Sequence, residues 1–210
     1  MIKKILLGIL IVILAIAGYV WYKFANNKGG GFEGEPAKKL ELKSATPVFD
    51  SSIQLVMTAY FNMKDAFVNA DSAAAKLACG NMIKVLDSIK LDELKKDTSG
   101  LVTTVQPLLN DVKSNAVSLV AQPNIKEMRK DFNQVNQQMY SLLKAINYKG
   151  ANIYWQLCPM AFDGDKEGYW LDTQSGEKRT NPYLGKKDPT YGGAMLNCGE
   201  DKDSIVARTK

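Results

Sequence analysis

Two short segments in the last quarter of the chain hold its most reactive side chains: Cys158-Pro159-Met160-Ala161 and Met195-Leu196-Asn197-Cys198-Gly199. The spacings Cys158-x-Met160 and Met195-x-x-Cys198 suit small loops that wrap a soft ion. Thiolate and thioether ligands together prefer Cu(I) over hard cations. The chain has no histidine, and a site without imidazole fits Cu(I) better than Cu(II) or Zn(II). Cys158 and Cys198 are therefore candidate thiolate ligands, with Met160 and Met195 as candidate thioethers. The same two cysteines have a plainer alternative, a disulfide, if the segment lies outside the cytoplasm. A cross-link closing that loop contributes roughly 3–4 kcal/mol in the chain-entropy picture. A dithiol that binds metal when reduced can also cross-link when oxidised, so both readings stay open.

Composition excludes several other chemistries. Without histidine there is no Ser-His-Asp or Cys-His catalysis and no imidazole general base. A cysteine nucleophile would need a lysine or a helix N-terminus to activate it, and Cys158 has no second cysteine two or three residues on, as a thioredoxin-type pair requires. No enzyme is expected. Three cysteines leave one thiol outside any single disulfide, and Cys79, beside an apolar stripe, reads as a small buried hydrophobe. Asp163-x-Asp165-x-Glu167-Gly168 imitates the start of a calcium loop, but Gln174 stands where the bidentate carboxylate belongs, so a solvated turn is expected. The formal charge of +5 falls to +3 once Lys3 and Lys4 are set aside, 25 basic against 22 acidic side chains. That balance does not argue for a nucleic-acid partner.

The elements that must position the sulfur pairs follow from hydrophobic patterning. Ile5 to Tyr22 carries no charge and, at about eighteen residues, reaches the length of a spanning helix. Tyr19, Trp21 and Tyr22 supply interfacial aromatics, and Lys3-Lys4 favour a cytoplasmic N-terminus. Residues 1–22 are read as a transmembrane anchor, with a cleaved signal peptide as the alternative. Either way residues 23–210 lie outside the cytoplasm. Residues 23–46 form a Gly-rich tether spanning on the order of 25–30 Å as a flexible coil.

Residues 47–200 are read as a mainly α domain, an antiparallel four-helix bundle with a small strand-and-loop cap. Residues 201–210 are read as a tail. Ile53, Val56, Tyr60, Met63 and Phe67 mark the first helix, started by Asp50 or Ser51. Asp71 caps the second, with Ala74, Ala78, Met82, Val85 and Ile89 facing inward. The third spans about Val102 to Ala121, and Pro107 is tolerable there only near the first turn. Ile125, Met128, Phe132, Val135, Met139, Leu142 and Ile146 form the seam of the fourth. The methionines at 57, 63, 82, 128 and 139 fall at helical spacing and read as packing. Ile153 to Leu157 has strand composition. Trp170 and Tyr183 are expected to close a small core under the loops with their polar tips outward.

Four motifs in order, Cys158-Pro159-Met160-Ala161, Gly168-Tyr169-Trp170-Leu171, Asn181-Pro182-Tyr183 with Gly185, and Met195-Leu196-Asn197-Cys198-Gly199, resemble a domain of unknown function from Gram-negative bacteria. The resemblance covers roughly residues 50–200 and includes Arg129-x-x-Phe132. The family's domain occurs alone on secreted or anchored chains and at the C-terminus of periplasmic adaptor subunits of copper and silver efflux pumps. The resemblance implies a copper context and, as partner, an efflux adaptor or another envelope protein. Here Phe162-Asp163-Gly164-Asp165 replaces a segment that is often Asn-rich in the family, and Lys186 to Tyr191 is a longer insert. The expectation is a single-pass inner-membrane protein whose periplasmic domain binds Cu(I) for sequestration or hand-off. The competing expectation is a non-catalytic interaction module braced by a Cys158–Cys198 disulfide.

Overall fold

The computed structural model describes residues 19, 47–94, 100–162 and 166–206, with the backbone alone at 93. The expected anchor, Tyr19 excepted, the tether and the Asp163–Asp165 turn lie outside the described residues. Among the described residues no helix is long and apolar enough to cross a membrane. The chain divides into two units, 1–38 and 39–210, and the second holds every element below.

Four helices come first: α1 (Pro47–Val68), α2 (Ser72–Ser88), α3 (Leu101–Ala121) and α4 (Ile125–Ala145). In α1 all five residues of the expected face are buried. Ser51 does not cap it: the hydroxyl donates back to the Pro47 carbonyl one turn earlier, inside the helix. Asp71 does cap α2, accepting from the Ala74 N–H. The buried stripe of α2 is Ala75, Cys79, Met82 and Leu86, offset from the expected one. Ala74, Ala78, Val85 and Ile89 pack at its margin, because the core covers an arc wide enough to hold both rows. Gly100, with φ +78°, leads into α3, and Pro107 sits inside that helix rather than in its first turn. The proline withholds the N–H that the Thr103 carbonyl would otherwise accept. Asn124 caps α4 through the Glu127 N–H.

Helices pack in sequence order, α1 on α2, α2 on α3 and α3 on α4. Phe67 and Phe132 close the bundle between α1 and α4, ring centroids 4.4 Å apart. The five helical methionines are all buried in this core.

After α4 come three antiparallel strands, β1 (Ile153–Phe162), β2 (Lys166–Asp172) and β3 (Glu200–Ile205), in spatial order β2-β1-β3. β1 extends beyond the expected strand. The expected tail is corrected too, since Glu200–Ile205 pairs with β1.

Side chains of the bundle serve the outer edge of β2. The Leu171 N–H donates to the Tyr60 hydroxyl at 2.9 Å, and the Tyr169 N–H donates to Asn133 Oδ1 at 2.8 Å. The Tyr169 carbonyl accepts from Asn136 and from the Tyr183 hydroxyl. These groups stand in for a fourth strand and dock the sheet on α1 and α4, so that few edge groups go unpaired.

Trp170 and Tyr183 are fully buried, which corrects the expectation that their polar tips point outward. The Tyr183 hydroxyl reaches Tyr169, Asn133 and Asn136 inside the protein.

Candidate thiol site

Cys158 lies on the central strand β1, opposite Gly168 of β2. Its side chain is buried, and the pairing is irregular between Cys158 and Phe162. The opposing glycine is required by space: a Cβ at Gly168 would lie 2.4 Å from that of Ala161 and 2.8 Å from the Tyr183 ring.

Cys198 ends the loop before β3. Its N–H donates to the Met195 carbonyl at 3.0 Å, so Met195 and Cys198 share one turn. Gly199 follows at φ +136°, where a Cβ would come within 2.6 Å of the Leu157 carbonyl. Only glycine makes this approach without strain, and it returns the chain to β1 directly beside Cys158.

The fold thus brings the two cysteines together across forty residues of sequence. Both are free thiols, and Cys198 lies near enough to Cys158 to raise its pKa. Burial pushes the Cys158 thiol above its ordinary value; hydrogen bonds from the Asn181 side chain and the Met160 backbone pull it back, and Cys198 raises it again. Cys198 is half-buried, which leaves the pair a side facing solvent. Met160 and Met195 are half-buried and pack against the shared core. Among the described residues no group of three or more cysteines, aspartates and glutamates converges as a metal cluster. An ion bound here would rest on two thiolates, with thioethers as any further ligands.

Cys79 is separate. It is buried in α2, donates to the Ala116 carbonyl at 3.3 Å, and burial pushes its thiol up to about 12. It is an inert core residue.

Three groups of polar residues around the site were given no role from the sequence, although Asn181 and Arg129 stand in its motifs. Asn181 is fully buried, and its Oδ1 accepts from the Tyr183 and Leu184 N–H groups. Arg179 donates to the Gly199 carbonyl and lies 3.3 Å from Asp201, which also accepts from Gln156 at 2.8 Å. Arg129, buried in α4, donates to the Pro182 carbonyl at 3.0 Å and the Phe67 carbonyl at 3.4 Å, joining the Asn181-Pro182-Tyr183 loop to the end of α1. A signal existed for Arg129 and Asn136. They stand seven residues apart beside the seam of α4, a spacing that keeps both on its inner face.

No curated protein and no solved structure matches the chain. Residues 56–150 match a family model described as "Protein of unknown function (DUF3347)"; the matched span covers the helices from Val56 onward and stops before β1, so it includes neither cysteine of the pair.

Proposed function

We propose that this protein is a periplasm-facing, membrane-anchored soft-metal binder. Its antiparallel bundle supports a cap that takes up Cu(I) for sequestration or for hand-off to an efflux adaptor. The observation that carries the reading is the neighbourhood of two free thiols, the buried Cys158 and the half-buried Cys198. Two thiolates held side by side match the preference of Cu(I) for soft ligands and low coordination number. Met160 and Met195 are the thioethers available to complete the site. The ion displaces the thiol protons, so uptake is linked to proton release.

The test is a Cu(I) competition titration of the reduced full chain. Tight stoichiometric binding, lost in Cys158→Ser and in Cys198→Ser, is expected. Unchanged affinity in both variants would overturn the reading.

The burial of Cys158 favours a second reading. Burial penalises a thiolate and not a neutral disulfide, and an oxidising compartment would close the pair. The cap is then a braced, non-catalytic docking module for an envelope protein. One free thiol before reduction, three after, and no high-affinity copper in either form would select it.

A further inference from the structure

Asn181 is fully buried and holds the loop that carries Cys198. Its Oδ1 accepts two N–H groups, from Tyr183 at 2.8 Å and Leu184 at 3.0 Å. Its Nδ2 donates to the Cys198 carbonyl at 3.0 Å, and its backbone N–H donates to the Leu196 carbonyl at 2.7 Å. Both acceptor lone pairs and one donor hydrogen of the amide are therefore engaged. The same side chain lowers the Cys158 thiol against the effect of burial, which sets one rigid amide beside the strand bearing Cys158 as well as the turn bearing Cys198.

We propose that Asn181 is the positioning residue of the Cys158–Cys198 pair, fixing the distance over which the two sulfurs meet. The two oxygen-side bonds shape the Pro182-Tyr183 turn, and the nitrogen-side bonds set the sulfurs. The inference rests on the reading of the two cysteines as one sulfur site, whichever of its occupants is correct.

Asparagine's two functions can be separated. Aspartate keeps the Oδ1 acceptor for the Tyr183 and Leu184 N–H groups and loses the donor. Serine keeps an acceptor for the turn and is too short to reach both sulfur-bearing segments.

The experiment equilibrates the full chain, wild type, Asn181→Asp and Asn181→Ser, with glutathione and its disulfide at fixed pH. In the reaction, the two thiols of Cys158 and Cys198 form one S–S bond, the S–S bond of glutathione disulfide breaks, and two glutathione thiols take up the two hydrogens. Its equilibrium constant reads how well the sulfurs are placed, since loss of orientation lowers the effective concentration of one thiol at the other. A fall of about tenfold or more in both variants is expected, with the helical circular dichroism signal retained. An unchanged constant in a folded variant would overturn the proposal.

The wild-type chain gives a second, independent reading. Its Asn181 side-chain amide resonance should move when the pair is oxidised, because the amide donates to the Cys198 carbonyl, which shifts with its sulfur; a resonance that stays in place also overturns the proposal. Copper takes no part in either measurement. A failed Cu(I) titration with an Asn181-dependent exchange constant would remove the metal reading and leave this one standing.

Discussion

Lys64 of α1 and Asp172 at the end of β2 form an ion pair inside the protein, Nζ to Oδ2 at 2.9 Å, with side chains 7% and 3% exposed. Thr180 lies 3.0 Å from the same ammonium. The pair ties the sheet to the bundle across most of the domain's sequence. Breaking such a pair leaves a buried charge without its partner, which costs about 3–5 kcal/mol. Lys64→Met should lose stability on that scale in urea unfolding, and Lys64→Met with Asp172→Leu should recover much of it. A single variant as stable as the double would show that the charge is solvated after all.

Arg129 does related work three residues further along α1, at the Phe67 carbonyl. Burial lowers its guanidinium from the ordinary value, while Asp188 supports the charge. Arg129→Met removes charged donors from two carbonyls, so a loss of about 2–4 kcal/mol is expected. Arg129→Lys should restore little, because an ammonium lacks the planar fork that reaches both oxygens. Limited proteolysis checks the local effect: cleavage after Lys186 and Lys187 should speed up in Arg129→Met. Equal rates would separate the arginine from the loop.

Gly199→Ala places a methyl group against the Leu157 carbonyl and the Trp170 ring, 2.6 and 2.8 Å away. The chain must swing away from β1, taking Cys198 with it. The expected result is a large loss of Cu(I) affinity or of disulfide formation, with the helical signal unchanged. A fully competent alanine variant would mean that Cys198 approaches Cys158 by another route.

Stability should fall in alkali and in a defined direction. The folded-state value of Cys79, about 12, lies above the reference of 9.0, so folding favours its protonated form. That contribution is complete below pH 9.0 and is lost as pH rises through about 12. Burial raises Tyr60 and Tyr183 as well, which adds to the same trend. Urea midpoints measured from about pH 8 to about pH 12 should decline, and less steeply in Cys79→Ala. Parallel curves for the two proteins would remove Cys79 from the explanation.

Helices were legible because their burial follows a local period. Ile53 through Phe67, and Met128 through Ile146, mark one face regardless of what lies opposite. The offset in α2 arose where small residues, Ala74 and Ala75 or Ala78 and Cys79, fit either row equally. The strand at Ile153 was legible from its aromatic and branched residues. β3 was not: Glu200-Asp201-Lys202-Asp203 has no apolar alternation, and it becomes a strand only because β1 offers it an edge. Lys64 carried a readable anomaly, a cation between Tyr60 and Phe67 on an apolar face, but its partner is 108 residues away. Asn181 stood in a quoted motif, yet its role depends on two segments that the fold alone brings together. Both readings of the sequence joined Cys158 to Cys198, and what residue types alone left open was whether an ion or a disulfide joins them.

The side chains bonded to β2 also bear on how the molecule behaves among other copies of itself. An exposed strand edge is a template on which a second chain can grow. Here an intruding strand would first have to displace Tyr60, Asn133, Asn136 and Tyr183 from Tyr169 and Leu171. The opposite edge, β3, presents Glu200, Asp201, Lys202 and Asp203, all exposed, whose charges would have to be matched before any ladder could form. The sheet resists polymerisation at one side by occupancy and at the other by charge.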